Sequence, residues 1–402
     1  MKHRIVVLGA GYAGANAAGR LARRLHRDDV EITLVNADPD FVERVRMHQL
    51  ASGQDLPRRV LGDIFGHRGV RVSAARVTAV DVDRHTVDLA RPQGAETLGY
   101  DSLVYALGST VADHGVPGAA EHSYNVAGKD AALRLRARLA ALPPGGRVLV
   151  VGGGLTGIET ATEIAESRRD LAVAIAARGR VGGWLGDKAQ RHLRATLDRL
   201  GVSVRDHTLV TRVDSRGAVA GALADTGVSG GDGTIPADVT VWTAGFAVHP
   251  IAAATTLTVS DTGRIVVDGT MRSVSHPDVY AIGDAAVAAG AGGRPLRMSC
   301  ASGIPMAWVA ADALAARLTG RKVPETTIGY TIQCISPGRA DGIIQRVTPD
   351  DRATSTAVTG RTAARLKEFV CAGAAWSVAH PTVLPRRRHL VAARTAPGVV
   401  TR

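Results

Sequence analysis

Two glycine-rich turns in this 402-residue sequence have the residue types and spacing that bind phosphate groups. Residues 9–14 read GAGYAG and residues 152–157 read GGGLTG, and both fit the pattern G-x-G-x-x-G. In such a turn the first glycine permits a tight bend and the second lets the backbone approach a pyrophosphate. The third allows close contact between helix and strand. We therefore predict that each turn binds the pyrophosphate of a dinucleotide.

Each turn needs a buried strand before it and a helix after it. Residues 3–8 form an apolar run, residues 13–26 have a helical pattern, and residues 31–38 form a second apolar run. The same order returns at residues 147–151, 156–167 and 171–179. These patterns predict two β-α-β units, in which the free N–H groups and dipole of each helix N-terminus favour phosphate.

The residue that ends the second strand of each unit distinguishes one nucleotide from another. A carboxylate there binds the adenosine ribose, but this sequence has Asn36 in the first unit and Ala177 in the second. Arg178 and Arg180 follow Ala177, and a guanidinium can bind a 2′-phosphate through two parallel hydrogen bonds. We therefore predict that the second turn accepts NADPH, and the preference between NADPH and NADH stays open. The alternative is that these arginines are simply exposed on a basic surface.

Composition and charge limit the class of protein. Apolar residues at 45% and charged residues at 21% are typical of a soluble globular protein. The net charge of +12 raises nucleic acid and anionic membranes as partners, but the basic residues are scattered. This distribution favours a soluble enzyme with anionic ligands, and no nucleic acid partner is expected. No metal site is expected either.

The three cysteines indicate a reducing compartment. Cys300, Cys334 and Cys371 lie far apart in the sequence, and none belongs to a C-x-x-C or C-x4-C pair. A disulphide-reductase centre is therefore excluded. The sequence opens on a strand with no signal-peptide pattern, and we expect a cytoplasmic protein.

The rest of the chain completes an α/β architecture. Residues 70–90 alternate with a period of two and predict antiparallel strands, and residues 141–146 (ALPPGG) mark a boundary. The apolar strand 102–109 ends in a glycine, and a helix is expected near 304–318. The fold class is therefore α/β, with two Rossmann-like domains and a small C-terminal region.

Two further phrases carry a resemblance to a known family. YDSLVYALGS at 100–109 and HPDVYAIGDAA at 276–286 accompany the two glycine turns in order, and TVWTAGF occupies 240–246. The chain thus resembles flavoproteins with two dinucleotide-binding domains, in particular type II NADH:quinone oxidoreductases and apoptosis-inducing-factor-like relatives. The resemblance implies that the first turn holds FAD and the second NAD(P)H, with hydride passing from the nicotinamide to the flavin.

The resemblance also implies domain bounds. The FAD-binding domain is expected at 1–115 and 265–325, with the NAD(P)H-binding domain inserted at 116–264. Residues 326–402 are expected to form a C-terminal interface or membrane-docking region.

Individual contacts follow from the same resemblance. FAD contacts are expected at Gly9, Gly11, Tyr12, Ala13, Gly14, Asn36, Arg44, Gln49, Val77, Ala106, Gly108, Gly283, Asp284 and Ile304. NAD(P)H contacts are expected at Gly152, Gly154, Leu155, Thr156, Gly157, Arg178 and Gly245. Glu159 is expected to position the nicotinamide, Asp284 to accept a hydrogen bond from the flavin ribityl chain or adjoining groups, and His48 to lie near the isoalloxazine ring.

One segment departs from the family pattern. Type II quinone reductases usually carry A-Q-x-x-x-Q on the helix beside the flavin, whereas residues 298–303 read MSCASG. This departure counts against a quinone as the acceptor. The following helix is expected to have Ser302 as its N-cap and Pro305 in its first turn, and to place a positive dipole end at the flavin.

The C-terminal region contains one amphipathic helix pattern. Residues 365–376 place Leu366, Phe369, Val370 and Gly373 on one face, and three arginines follow at 386–388. This face suits either an anionic bilayer, at the inner surface of the membrane, or a protein surface. We favour contact with the chain's own FAD domain or with the second subunit of a homodimer.

The sequence as a whole predicts an FAD-dependent NAD(P)H oxidoreductase that passes electrons to a quinone or another small aromatic acceptor. Two alternatives remain open. One is a tailoring reductase for a single quinonoid metabolite. The other is a redox-sensing flavoprotein whose reduction controls dimerisation.

Overall fold

The computed structural model describes residues 1–221, 233–382 and 386–391. The helices are α1 (Tyr12–Arg24), α2 (Met47–Ala51), α3 (Leu61–Phe65), α4 (Ala119–His122), α5 (Lys129–Ala140), α6 (Leu155–Ser167), α7 (Asp187–Arg199), α8 (Cys300–Leu318) and α9 (Arg361–Ala379).

The strands up to residue 124 are β1 (His3–Leu8), β2 (Val30–Asn36), β3 (Val70–Ala74), β4 (Arg76–Asp81), β5 (Thr86–Arg91), β6 (Gly94–Gly99), β7 (Ser102–Tyr105), β8 (Ser109–Val111) and β9 (Ser123–Tyr124). The middle strands are β10 (Arg147–Val151), β11 (Ala172–Ala176), β12 (Ser203–Arg205), β13 (Leu209–Asp214), β14 (Gly217–Gly221), β15 (Gly233–Pro236), β16 (Val239–Trp242) and β17 (Phe246–Val248). The last strands are β18 (Ile265–Val266), β19 (Val279–Ala281), β20 (Ala286–Val287), β21 (Ile332–Ile335), β22 (Ile343–Val347) and β23 (Ala353–Thr359).

The first large sheet has the order β19-β7-β1-β2-β3, and all its pairs are parallel. Its inner strands β1 and β7 are buried over most of their length because a parallel sheet is covered on both faces. Helix α1 connects β1 to β2, and α8 packs against α1. The alternation at 70–90 was therefore misleading in part: β3 joins this parallel sheet, and only β4 and β5 pair antiparallel.

The second large sheet repeats the first. Its order is β12-β11-β10-β16-β9, again with every pair parallel, and α6 connects β10 to β11. Alternate residues of β10 face two separate groups of buried side chains, with Val148 and Val150 on one side and Leu149 and Val151 on the other. The predicted α/β class with two Rossmann-like units is confirmed.

A two-stranded ribbon lies where the chain crosses between the two sheets. Strand β8 leads out of the first sheet, and β17 leads back from the second. The two strands pair antiparallel, with Val111 opposite Phe246 and Ser109 opposite Val248. Both crossings of the chain are therefore hydrogen-bonded to each other.

The structure also has a two-stranded parallel sheet, β18-β20, and three small antiparallel sheets: β4-β5-β6, β13-β14-β15 and β21-β22-β23. The last of them contacts α7 and α9. In the part of the chain that the structure describes, no helix has the length and apolar character needed to cross a bilayer.

Helix α9 does not contact the protein through the predicted face. Leu366, Phe369 and Val370 are exposed by 41%, 74% and 39%, and Gly373 is exposed as well. The buried residues of α9 are Ala363, Lys367, Ala375 and Val378. The expectation that the apolar face packs on the chain's own first domain is therefore wrong. Small residues allow the opposite face to approach the protein more closely.

Candidate dinucleotide sites

The first glycine turn has the geometry that its sequence predicts. The Gly9 N–H donates to Val35 O at 2.8 Å, and Gly9 has a φ of +91°. A Cβ on Gly9 would lie 2.3 Å from Ala106 O, and a Cβ on Gly14 would lie 1.8 Å from Gly9 O. A Cβ on Gly11 would meet nothing within 4 Å. Gly9 and Gly14 must be glycines because a Cβ at either position would clash with the backbone. Gly11, in contrast, faces open space at the start of α1.

The second turn has the same geometry. The Gly152 N–H donates to Ala176 O at 2.8 Å, and a Cβ on Gly152 would lie 2.7 Å from the Thr243 backbone. A Cβ on Gly157 would lie 1.8 Å from Gly152 O, and a Cβ on Gly154 would meet nothing within 4 Å. Helix α6 begins directly after Gly154, with Leu155 exposed and Thr156 half-buried. Each turn thus presents a helix N-terminus on its open side, which suits a pyrophosphate.

The Asn36 amide at the end of β2 braces the first turn. Its Oδ1 accepts the Ala10 N–H at 2.9 Å, and its Nδ2 donates to Asp38 O at 2.7 Å. Both polar atoms of the amide are therefore engaged within the protein. A ribose contact from Asn36 stays a prediction, and it would have to use the second lone pair of Oδ1 or the second proton of Nδ2.

The end of β11 has no free carboxylate in the described structure. Ala177 is buried, and a Cβ on Gly153 would lie 2.5 Å from the Ala177 Cβ. The nearby carboxylate of Asp206 accepts the Val181 N–H at 2.7 Å and forms an ion pair with Arg194 at 2.6 Å. Arg178 and Arg180 are exposed beyond Ala177. The charge beside this turn is therefore positive.

A polar cluster lies where β7, β8 and the loop after β19 meet. The Ser109 hydroxyl donates to Asp284 Oδ2 at 2.6 Å, and Arg44 Nη1 donates to Ser109 O at 2.8 Å. Arg44 Nη1 lies 3.7 Å from Asp284 Oδ2, and the guanidinium lies over the Phe246 ring at 5.3 Å. Burial lowers the pKa of Arg44, and Asp284 opposes that effect. The structure thus brings together two residues that the sequence placed 240 positions apart.

Buried polar atoms beside this cluster have no partner among the described residues. They are the Arg44 Nη2 and Tyr12 hydroxyl atoms, and the His48 Nε2 atom deeper in the protein. Burial raises the pKa of Tyr12, so its hydroxyl keeps its proton. Unpaired buried donors are costly, and a bound ligand can satisfy them.

The N-termini of α1 and α8 converge beside the cluster. A Cβ on Gly303 of α8 would lie 3.4 Å from the Ala13 Cβ and 3.5 Å from Gly283 Cα. Gly283 itself has a φ of +68°. Small residues therefore line the approach to the first turn. Together with the open Gly11 and the unpaired donors, they fit a phosphate-bearing cofactor with a polar ring system.

The remaining predicted contacts are distributed around the two turns. Val77 is a buried residue of β4, Ile304 is half-buried in α8, and Gly108 lies 3.8 Å from Arg44 Nη1, measured from an added Cβ. Gln49 accepts a hydrogen bond from Arg46 at 3.2 Å. Gly245 has a φ of +148° in front of β17.

Helix α8 begins earlier than predicted. Its first residue is Cys300, and its N-cap position is Ser299, not Ser302. Ser302 is buried inside the first turn, where its hydroxyl lies 2.6 Å from the Tyr330 hydroxyl. Pro305 consequently lies beyond the first turn. The expected N-cap was wrong because a serine can cap a helix or bond to a distant tyrosine, and the sequence does not distinguish these cases.

Glu159 lies in a buried charge cluster that the sequence did not reveal. Its carboxylate contacts Lys367 Nζ of α9, accepts the Ser336 N–H at 3.0 Å, and lies 3.9 Å from His48 Nδ1. Glu159 and Lys367 are exposed by only 3% and 7%. Burial lowers the pKa of Lys367 to about 8, and burial with the charges of Lys367 and Arg46 lowers the pKa of His48 to about 3. The cluster joins α2, α6 and α9.

The chain matches the pyridine nucleotide-disulphide oxidoreductase family over residues 3–315. It belongs to that family. The NADH dehydrogenase-like protein Rv1812c of Mycobacterium tuberculosis is 33% identical over 324 residues, which cover 75% of this chain and 78% of the relative. The type II NADH:quinone oxidoreductase NdhA of the same organism is 29% identical, covering 70% and 66%.

The fold is also found in solved structures. NDH2 from Plasmodium falciparum in complex with NADH superposes with a TM-score of 0.80 at 14% identity, covering 95% of this chain and 96% of that one. The predicted relationship to NADH dehydrogenase-type flavoproteins is confirmed, and the chain is an oxidoreductase that uses a pyridine nucleotide. The three cysteines lie on α8, β21 and α9 and are free, so they form no redox disulphide here. Among the described residues, no cluster of His, Cys, Asp or Glu could hold a metal ion.

Proposed function

We propose that the first glycine turn binds FAD, that the second binds NAD(P)H, and that the enzyme reduces a quinone or another small aromatic acceptor. The observation that carries this proposal is the duplicated turn, in which Gly11 and Gly154 face open space and the outer glycines cannot carry a side chain. The Arg44–Ser109–Asp284 cluster and the Tyr12 hydroxyl supply hydrogen-bonding groups on the side of the first turn. Their presence supports binding of the flavin at the first turn.

The cofactors would supply the hydride and electron transfer, and the protein would bind, orient and shield them. Arg44 and Asp284 present a fixed positive and a fixed negative group at one end of the first sheet. Lys367 Nζ contacts the Glu159 carboxylate, and this buried pair ties α6 of the second unit to α9.

Preference for NADPH is supported by the residues after β11. Arg178 and Arg180 are exposed beside the second turn, and the carboxylate of Asp206 is already bound to Arg194 and to the Val181 N–H. A 2′-phosphate at this place would meet guanidinium groups and no free carboxylate among the described residues. Charge-assisted hydrogen bonds of this kind contribute roughly 1.5–3 kcal/mol each.

The acceptor is proposed from the relatives and from the chemistry of the site. NdhA is named as a quinone oxidoreductase, which supports a quinone. Residues 298–303 at the start of α8 lack glutamine, and Ser302 is turned toward Tyr330. A quinonoid metabolite different from the respiratory quinones would reconcile the two observations, which keeps the tailoring reductase as the second candidate.

An anaerobic titration tests the cofactor assignment. The purified protein should carry FAD, and NADPH followed by NADH in separate titrations should bleach its absorption near 450 nm. Gly11→Val, which adds a side chain on the open side of the first turn, should weaken flavin binding, whereas Gly154→Val should leave the flavin in place and slow its reduction by either nucleotide. Flavin retained by Gly11→Val and lost by Gly154→Val would reverse the assignment of the two turns.

Arg178→Ala tests the nucleotide preference. We expect the ratio of kcat/KM for NADPH to that for NADH to fall by about tenfold to a hundredfold, because one guanidinium–phosphate contact is lost. Arg84→Ala, which removes an arginine exposed by 84% in the turn between β4 and β5, is the matched control and should leave the ratio unchanged. Equal ratios in the parent and Arg178→Ala would refute the preference.

The exposed face of α9 is proposed to contact a second copy of the chain or the inner surface of the membrane. Leu366, Phe369 and Val370 lie on one face of α9 and are all at least 39% exposed. Light scattering at micromolar protein concentration would show a dimer, which Phe369→Ser should dissociate. Sedimentation with phosphatidylglycerol vesicles at physiological salt would show the membrane contact instead. A protein that stays monomeric and does not sediment with the vesicles would exclude both contacts.

A further inference from the structure

A groove beside α1 and α8 contains none of the residues that are assigned above to the two dinucleotide sites. It has a volume of about 620 Å³ and lies between α1, α8, the last two turns of α9, residues 380–382 and two arginines, Arg386 and Arg388. Trp308 of α8 and Trp376 of α9 contribute indole rings that are exposed by 38% and 55%. The volume falls within the range of roughly 300–1,000 Å³ that is usual for small-molecule sites.

The aromatic side of the groove is held in place. Trp308 Nε1 donates to Asn16 Oδ1 at 3.3 Å, and the Arg20 guanidinium lies 5.8 Å from the centre of the Trp308 ring. Trp376 is stacked on His380, with ring centroids 4.1 Å apart and an interplanar angle of 9°. At Gly373 an added Cβ would meet nothing within 4 Å, so a flat ligand could approach the helix backbone closely.

The other side of the groove is positively charged. Arg20 and Arg24 share the carboxylate of Asp312 at 2.6 Å and 3.0 Å. Arg386 and Arg388 also line the groove, and neither guanidinium forms an ion pair with a described residue. Four guanidinium groups against one carboxylate leave a net charge of +3.

The two unpaired arginines lie on a segment that is fixed to the protein. The Arg386 N–H donates to Arg23 O at 3.0 Å, and the Arg388 N–H donates to Arg24 O at 3.0 Å. Burial and the like charges of Arg321, Arg24 and Arg386 lower the pKa of Arg388. The guanidinium groups are therefore held close together with too few carboxylates to neutralise them. Their repulsion destabilises the empty groove, and a bound anion would relieve it.

We propose that this groove binds a small anion that joins a phosphate group to a flat aromatic body, of about the size of a mononucleotide. The guanidinium groups of Arg386 and Arg388 match a phosphate through paired hydrogen bonds, and the indole rings provide stacking surfaces. The groove opens behind the helices whose N-termini form the first dinucleotide site. Its ligand is therefore distinct from both redox cofactors.

Calorimetric titration of the flavin-loaded protein with 1-naphthyl phosphate tests this proposal. We expect saturable one-to-one binding that is unchanged by saturating NADPH, because the groove is separate from both glycine turns. Arg386→Ala/Arg388→Ala should weaken binding by about tenfold or more, and Trp376→Ala should weaken it while Trp376→Phe largely restores it. Arg84→Ala is the control and should bind as the parent does.

Separate ligands distinguish a built site from simple charge attraction. Inorganic phosphate and 1-naphthol should each bind far more weakly than 1-naphthyl phosphate. Binding of inorganic phosphate with equal affinity would overturn the proposal, since the indole rings would then contribute nothing. Failure of 1-naphthyl phosphate to bind, together with sedimentation on phosphatidylglycerol vesicles that Arg386→Ala/Arg388→Ala abolishes, would show that the groove contacts a lipid surface instead.

Discussion

The buried ion pair between Glu159 and Lys367 makes a prediction whose size can be worked out from the structure. Lys367→Met leaves the carboxylate with the Ser336 N–H at 3.0 Å and no counter-charge in contact. Protonating the carboxyl, which has an ordinary pKa of about 4.3, costs about 3.7 kcal/mol at pH 7 and sets the upper limit, because His48 Nδ1 at 3.9 Å can take up a proton instead. We therefore expect Lys367→Met to lose up to about 4 kcal/mol of unfolding free energy at pH 7.

The reverse variant should cost a similar amount. Glu159→Gln leaves Lys367 in a site where burial lowers its pKa from 10.5 to about 8. Removing the carboxylate leaves this buried ammonium without the counter-charge that it contacts, and we expect a loss of about 3–5 kcal/mol at pH 7. The double variant buries neither charge, and it should lose much less than the sum of the two single losses.

Urea unfolding of the flavin-loaded protein and the three variants measures this cycle. The Lys367→Met loss should also shrink to about 1 kcal/mol at pH 5, because protonating a carboxyl then costs little. Single losses that simply add, or a Lys367→Met loss that is the same at pH 5 and pH 7, would refute the buried-pair argument.

Three other variants test separate parts of the structure. His48 has a folded pKa of about 3, below the value of 6.5 in the unfolded chain, so the unfolded state binds more protons between these values. Stability should fall by about 2 kcal/mol from pH 7 to pH 5, and His48→Gln should flatten this dependence in urea unfolding. Asn36→Leu leaves the Ala10 N–H unpaired and should weaken FAD binding about tenfold in a flavin-release assay; unchanged affinity would show that the brace is dispensable. Ser109→Ala removes the hydroxyl donor to Asp284 and should shift the reduction potential of the flavin measurably in a redox titration, whereas an unchanged potential would separate the cluster from the flavin.

The sequence predicted the parts of the fold that depend on local pattern. Both β-α-β units follow from apolar strands joined to glycine turns, and α1 and α6 begin within one residue of the expected positions. At the outer glycines of both turns an added Cβ would clash with neighbouring backbone atoms, so glycine is required there. Such positions can be predicted from the sequence because only one residue type satisfies their geometry.

The parts that depend on distant partners could not be predicted in the same way. The residues of β3 alternate in polarity like those of an antiparallel strand. The strand nevertheless pairs parallel with β2, as the edge strand of the first large sheet. Lys367 of α9 pairs with Glu159 of α6, which is distant in the sequence. The only signal was its place in a row with Ala363, Cys371 and Ala375, four residues apart, where small side chains indicated the buried face.

The paired crossings at β8 and β17 have a consequence for how this architecture can be rebuilt. Because Val111 and Phe246 lie opposite each other in one ladder, the two ends of the intervening segment are about 5 Å apart. A segment with adjacent ends can be exchanged as a cassette without stretching either host strand. We expect that residues 112–245 could be replaced by the corresponding segment of a relative, transferring its coenzyme choice while the flavin half stays intact. Recombination between such genes would then change the electron donor in a single event.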